Sequence, residues 1–347
     1  MDQTAKRKSS HVEIVLNKKI DYQTSTGFEK YEFVHNALPE IDYAEIDTTT
    51  KFFSHEFSAP IIVSSMTGGF ERAGSINAKL AEFCDEKKIG MGVGSQRQAL
   101  NNSDYLETFK VVRRVAKDIF VMSNIGAAQI ADGFALDNIR KIVDMVEANA
   151  ISVHLNPLQE LIQPEGDKNF RGVLKGITKL VESIGIPVIV KETGAGVSAE
   201  AAKKLIGAGV SAIDVSGAGG TSWSAIESLR QTELGNGKRI GESFWNWGIP
   251  TAEALVQVNA LPSRRKIRLI SSGGIRNGID IAKSVALGAD ICAAAQPFLK
   301  ALDKGGTDGL IKEFDAWVEE LKGVMFLTGS VNLNGLKKTK LVKVSSC

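Results

Sequence analysis

Cysteine is scarce. Cys84, Cys292 and Cys347 are the three thiols in 347 residues, and no two of them have the paired spacing of a metal module. Such usage fits reduced, mostly structural thiols in a cytoplasmic protein. Long apolar runs are missing too, with nothing approaching the roughly 20 residues that a membrane span needs. The basic start, Lys6-Arg7-Lys8, has no apolar stretch behind it of the kind a signal peptide carries. Charge of one sign is also lacking: 42 Lys and Arg face 40 Asp and Glu, a formal net charge of +2. No electrostatic case for nucleic acid follows from that balance. What remains is an ordinary globular composition, 43% hydrophobic and 24% charged, in a chain long enough for a full barrel core with decorations.

Glycine turns are present, at telling places. The apolar run Arg268–Ile270 leads into Ser271-Ser272-Gly273-Gly274-Ile275-Arg276, after which a helical pattern opens. A second small-residue turn, Ala293–Pro297, follows the next apolar run. Backbone N–H groups at a helix N-terminus point outward unpaired, and the helix dipole favours an anion there. In an eightfold α/β barrel, a phosphate clamp of this kind lies after strands seven and eight. Six similar units precede it, at Pro60–Ser65, Ile89–Gly94, Ile119–Ser123, Ala150–Leu155, Pro187–Glu192 and Ala212–Ser216, with Lys266–Ser272 and Ala289–Ala294 completing eight. Between most of them apolar residues recur at helical spacing, as at Ile139, Ile142, Val143 and Val146. Near-continuous apolar strands alternating with helices indicate a parallel sheet covered on both faces. The reading is therefore α/β, a (β/α)8 TIM barrel. A doubly wound open sheet is the alternative, disfavoured by the count of eight and the late clamp.

One domain, residues 1–347, is expected: an N-terminal arm over 1–59, a barrel core over 60–300, and a closing helix and tail over 301–347, the helix near Leu310–Lys322. A long insertion after strand six, residues 221–262, is rich in Gly and Trp (Trp223, Trp245, Trp247). Long loops on the C-terminal face of a barrel commonly serve as lids or binding loops.

Catalytic groups in this fold sit at the C-terminal ends of the strands. Strands one to three end in uncharged hydrogen-bonding groups: Ser65-Met66-Thr67-Gly68-Gly69, Gly94-Ser95-Gln96-Arg97 and Ser123-Asn124-Ile125-Gly126. Ionisable groups follow on strands four and five, in His154-Leu155-Asn156-Pro157-Leu158-Gln159-Glu160 and Val190-Lys191-Glu192. A cation at Lys191 needs an anionic partner. It could form a salt bridge across the barrel, a Schiff base, or a contact with an electron-rich ring or its anion. The last, with the phosphate clamp, describes flavin mononucleotide. Glu160, a single carboxylate without a His/Cys/Asp cluster, suits a Mg2+ that keeps waters and takes phosphate oxygens. The start Arg7-Lys8-Ser9-Ser10-His11 is either a frayed terminus or an arm folded over the barrel mouth. In the latter case Arg97 completes a second anion site, since arginine suits forked contacts with phosphate.

Together these strings, with Ser216-Gly217-Ala218-Gly219-Gly220-Thr221-Ser222-Trp223 after strand six, closely resemble the type 2, flavin-dependent isopentenyl-diphosphate isomerases. The match runs in order over nearly the whole chain. The joined Arg-Lys-x-x-His start and His-x-Asn-x-x-Gln-Glu string is its specific part. The resemblance implies FMN, Mg2+ and NADPH as cofactors, and interconversion of isopentenyl and dimethylallyl diphosphates. It implies Arg7, Lys8, His11, Ser95, Gln96, Arg97, Asn156 and Gln159 as substrate contacts and Glu160 as the Mg2+ ligand. It places flavin against Ser65, Met66, Thr67, Ser95, Asn124, Lys191, Ser216, Thr221, Gly273, Gly274, Ile275, Arg276, Ala294, Ala295 and Gln296. Catalytic roles fall to His154, Gln159, Lys191, Trp223 and Glu227, with Trp223 and Glu227 shielding the cation and relaying protons. A cytoplasmic homo-oligomer, tetramer or octamer, is implied, with no nucleic-acid or membrane partner. Two rivals share the barrel. An α-hydroxy-acid oxidase needs a histidine beside an arginine late in the barrel, where this chain has Arg276 alone. An enzyme like IMP dehydrogenase needs a cysteine in a mouth loop.

Overall fold

Eight short apolar runs pair in parallel, each with the next, and the last closes on the first. The computed structural model describes residues 3–131, 135–231 and 236–344; Cys347 lies outside them, as do four residues of the expected insertion. The barrel strands are β1 Ile61–Val63, β2 Gly90–Gly92, β3 Val121–Gly126, β4 Ala150–His154, β5 Val188–Lys191, β6 Ala212–Asp214, β7 Arg268–Ser272 and β8 Ile291–Ala294. Closure is by β8 on β1, with Cys292 opposite Ile61 and Ala294 opposite Val63. Every residue of β1, β2, β3, β5, β6 and β8 is buried, as expected of strands covered by helices outside and side chains within. Most strands are shorter than their apolar runs because ladder pairing, not hydrophobicity, sets their ends. β3 runs the other way, past Ser123 to Gly126, because it pairs with β4 up to His154.

Outside the barrel, residues 3–59 do specific work. A helix over Gln3–Asn17 buries Ala5, Val12 and Ile14, so the arm is ordered rather than frayed. At the opposite, N-terminal end of the strands a small hairpin, Thr50–Phe52 with His55–Phe57, was not legible in the sequence. Its Phe52 and Phe57 pack on Phe120, which immediately precedes β3. Each such buried ring contributes on the order of 2 kcal/mol of burial. The insertion after β6 is shorter than expected. Helix Thr251–Asn259 buries Ala252, Ala254, Leu255 and Val258 against the core and is the barrel's own sixth helix, so the insertion ends near Pro250. The closing helix is longer than expected, spanning Gln296–Leu327 with a kink at Gly306. Cys84 and Cys292 are both free and fully buried, in a helix and in β8. Burial pushes the Cys84 thiol up and the Cys292 thiol up to about 12, so neither is a nucleophile. No helix among the described residues is long and apolar enough to cross a membrane.

Candidate active site

The strand ends open into two joined hollows at the C-terminal mouth. One is a slot of about 150 Å³ lined by Ser65, Met66, Thr67, Lys191, Ser216, Thr221, the Gly273–Arg276 turn and Ala294–Gln296. The other is a wide cavity of about 760 Å³. His11, Ser65, Met66, Lys191, Thr193 and Trp223 belong to both. Ser95 and Asn124, expected at a cofactor, line the wide cavity only.

Backbone builds the slot. Gly273 and Gly274 have φ of +98° and +78°, left-handed values that glycine adopts without steric cost. The β6 turn presses against them so closely that a Cβ on Gly273 would lie 2.1 Å from the carbonyl oxygen of Gly217. Ser216 takes φ +37° although it is not glycine, a strain of about 1–3 kcal/mol of the kind stored at functional turns. The amides of Gly274 and Ile275 donate to no described residue. Two buried side-chain atoms on the slot wall, Ser65 Oγ and Gln296 Nε2, also have no partner. A phosphate would satisfy donors arranged in this way. Arg276 closes the rim, donating to Gln296 Oε1 at 3.2 Å and Asp21 Oδ1 at 2.8 Å.

The wide cavity takes its roof from the N-terminal helix, where Arg7, Lys8 and His11 all face inward. Lys8 Nζ donates to Ser95 O at 2.6 Å and lies over the Phe109 ring. Arg97 is exposed on the rim. The β4 loop supplies the opposite wall. Asn156 Nδ2 donates to Gln159 Oε1 at 3.2 Å and to Glu160 Oε1 at 3.0 Å, fixing both. Glu160 Oε2 accepts from Asp167 N at 2.7 Å. Among the described residues no three His, Cys, Asp or Glu side chains gather as a metal cage. Glu160 thus faces the cavity outside any such cage, with Glu165 and Asp167 elsewhere on the lining, which suits a Mg2+ that retains waters. Lys191 Nζ donates to Glu192 O at 2.6 Å, and its charge is felt by Asp214 on β6.

His154 ends β4 with Nδ1 2.7 Å from Asn124 Oδ1. The network assigns the proton to Nδ1, which leaves the Nε2 lone pair free. Burial foremost, then the charges of Lys191 and Lys8, push His154 down to about 3. It is neutral at neutral pH and no acid there. The unfolded imidazole titrates near 6.5, so between that pH and about 3 the unfolded chain binds a proton that the folded chain refuses. This residue therefore weakens the fold as pH falls through that window and has no effect above it. His154→Asn is expected to lose less stability than the parent protein between about pH 7.5 and about pH 5, read from urea midpoints. An equal loss would contradict the assignment.

One sequence-derived expectation needs correcting. Gln96 does not reach the cavity. It is fully buried, its amide accepting from Asn124 N at 3.0 Å and donating to Ile142 O at 2.9 Å. It staples the end of β2 to β3, because strand-end backbone groups left unpaired inside the protein cost more than a lost surface contact. Glu227 lies one layer behind the wall, fully buried, accepting from His11 Nε2 and Gln159 Nε2 at 3.0 Å each and from Arg230 Nη1. Burial alone would raise its carboxyl. The hydrogen bonds from His11 and Gln159 and the Arg230 charge outweigh burial and hold it below the usual carboxylate range. Trp223 stands edge-on to His11, ring centroids 5.1 Å apart. Cavity residues missed in the sequence include Gln129, Gln163, Glu165 and Asp167, together with Val12 and Val15 over the slot. Arg230 was missed as well, although its i, i+3 spacing from Glu227 on one helix was a signal.

The sequence pattern of the FMN-dependent dehydrogenase family matches residues 138–343, a stretch that includes the turns after β7 and β8. Curated relatives decide the branch. An isopentenyl-diphosphate delta-isomerase of Chlorobaculum parvum is 46% identical, over 98% of this chain and 97% of that one. Proteins of the same name from Rickettsia bellii and Nostoc sp. are 47% and 44% identical, covering 97% and 96% of this chain and 97% and 95% of their own. The chain belongs to the type 2, FMN-dependent isopentenyl-diphosphate delta-isomerases. Solved structures place the isomerase fold among flavin barrels. A lactate oxidase of Pediococcus acidilactici aligns with TM-score 0.68 at 16% identity, over 97% of this chain and 87% of that one. A flavocytochrome b2 aligns with TM-score 0.70 at 18% identity, over 96% and 82%. At that identity the likeness concerns the barrel alone, and chemistry has to be argued from the site. Around Arg276 the isomerase has Gln296 and Asp21 rather than a histidine.

Proposed function

We propose that this isomerase interconverts isopentenyl and dimethylallyl diphosphates by moving a proton across the allylic unit, assisted by reduced FMN, Mg2+ and NADPH, with no net redox change. The observation that supports it is the junction of two differently built anion sites: a glycine slot, and a cavity roofed by Arg7 and Lys8 with Arg97 on its rim. A protein that only bound flavin or phosphate would have no use for the second. When bound, reduced FMN supplies negative charge beside the alkene and a ring nitrogen able to exchange a proton. The slot turns Gly273–Arg276 and Ala294–Gln296, with Ser65, Met66, Thr67, Ser216 and Thr221, would hold it, and Lys191 and Asn124 would face its ring. NADPH would reduce it.

Protonating an alkene creates a cation, costly in a dry pocket unless negative charge lies beside it. Glu227, ionised one layer behind the wall, supplies such charge and fixes the direction of His11 and Gln159. The Trp223 ring offers its π-face to the same cation. His154, neutral, acts as a hydrogen-bond anchor through Nε2. Arg7, Lys8 and Arg97 would pin the diphosphate, and Glu160 would hold a Mg2+ able to take its phosphate oxygens, which would turn remote binding energy into alignment of the alkene. Glu160→Gln is expected to abolish the Mg2+ dependence of turnover, with kcat/KM down about 100-fold and FMN still bound. A titration of rate against Mg2+ checks this, and an unchanged metal dependence would overturn the assignment. A cytoplasmic homo-oligomer completes the proposal, read from the family resemblance.

A further inference from the structure

Five side chains form a ring that runs from the cavity roof into the layer behind its wall. Arg7 Nη1 meets Glu165 Oε1 at 3.4 Å, and Arg230 Nη2 meets the same oxygen at 3.0 Å. Arg230 Nη1 also reaches Glu227, which accepts from His11 at 3.0 Å. Arg7 and His11 are one turn apart on the N-terminal helix, which completes the circuit. The ring joins that helix, the β4 loop and the helix Trp223–Arg230. Its links are unequal. Glu227 is fully buried and Arg230 is 15% exposed, whereas Arg7 and Glu165 are 25% and 29% exposed and form the longest contact. Partly exposed pairs of that length contribute little stability and exchange easily.

We propose that Glu165 is the resident anion of the diphosphate-binding end: it neutralises Arg7 in the free enzyme, surrenders it to the ligand's phosphate oxygens, and takes it back as the ligand leaves. The proposal rests on the diphosphate reading above. Three features carry it. Glu165 lines the same cavity as Arg7, Lys8 and Arg97, so ligand and carboxylate compete for one guanidinium. Arg230 holds Glu165 in place independently, so the carboxylate stays near the site after Arg7 has turned away. Arg7 is a cavity cation so engaged, through the 3.4 Å contact of Nη1 with Glu165 Oε1. A fixed carboxylate at this position weakens anion binding and hastens product release, a useful cost where tight binding of substrate and product alike does nothing for rate.

The test titrates inorganic pyrophosphate into the FMN-loaded full-length protein by calorimetry. Glu165→Gln is expected to bind pyrophosphate about three- to tenfold more tightly, a gain that structural damage does not produce. In turnover the same variant should lower KM with no rise in kcat. Glu165→Asp, which keeps the charge, should stay within about twofold of the parent protein. Arg7→Ala should lose most of the pyrophosphate affinity. Pyrophosphate that requires Arg7 yet binds Glu165→Gln no better would overturn this proposal and leave the diphosphate site standing. Tightening in both Glu165 variants would overturn charge as its cause. Binding unaffected by Arg7→Ala would overturn the diphosphate site and this proposal with it.

Discussion

Gly273→Ala is expected to empty the flavin slot. The new methyl would lie 2.1 Å from Gly217 O and 2.5 Å from Gly217 N, in a backbone at φ +98°. Neither contact is with a flexible side-chain end, so relief requires the turns after β6 and β7 to move apart. Strain and overpacking together cost on the order of 3 kcal/mol, and the displaced amides are the ones that face the phosphate. FMN affinity should therefore fall at least about 100-fold, measured by quenching of flavin fluorescence on titration into the apoprotein. Gly305→Ala is the matched control. It sits in the closing helix with nothing within 4 Å of its ideal Cβ, so FMN affinity should not change. Wild-type affinity in Gly273→Ala would mean that the slot does not hold the phosphate.

Glu227→Gln is expected to lower kcat about 100-fold or more while leaving FMN binding intact. The substitution keeps size but removes the buried negative charge beside His11 and Gln159, and it turns one of two accepting oxygens into a donor. Removing it also leaves Arg230 with Glu165 as its remaining carboxylate. Glu227 contributes nothing to the slot wall, so flavin content should match the parent protein. KM for isopentenyl diphosphate should change less than kcat, because the anion site is carried by other residues. Steady-state kinetics on flavin-matched samples separate these effects. A kcat within threefold of the parent would exclude Glu227 from the chemistry.

The fold was legible because the barrel strands are buried almost throughout and so read as short apolar runs. The lining of the two hollows was legible where it falls on the strand end itself, as at Lys191, His154 and the Gly273 turn. It failed where direction depends on packing. Gln96 stands beside Ser95 and Arg97 in sequence, but the end of β2 turns it inward to satisfy Asn124 N and Ile142 O. Glu165 and Arg230 escaped notice because their meaning lies in pairing, with Arg7 158 positions from Glu165 and Arg230 65 positions from it. The hairpin Thr50–Phe57 escaped because two three-residue strands carry too little periodicity to register, and its rings matter only against Phe120. Local pattern thus gives the frame and the strand ends at the barrel mouth, while the roof over them is a long-range construction.

One measurement bears most directly on the isomerase reading. The protein is incubated anaerobically with isopentenyl diphosphate, FMN, Mg2+ and NADPH, with parallel samples lacking each component, and the prenyl products are analysed. Dimethylallyl diphosphate formed only with reduced flavin and Mg2+ present, and without stoichiometric consumption of NADPH, is the predicted result. Bound, reducible flavin with no prenyl product, or product formed in step with NADPH oxidation, would contradict it and point to hydride transfer on this barrel.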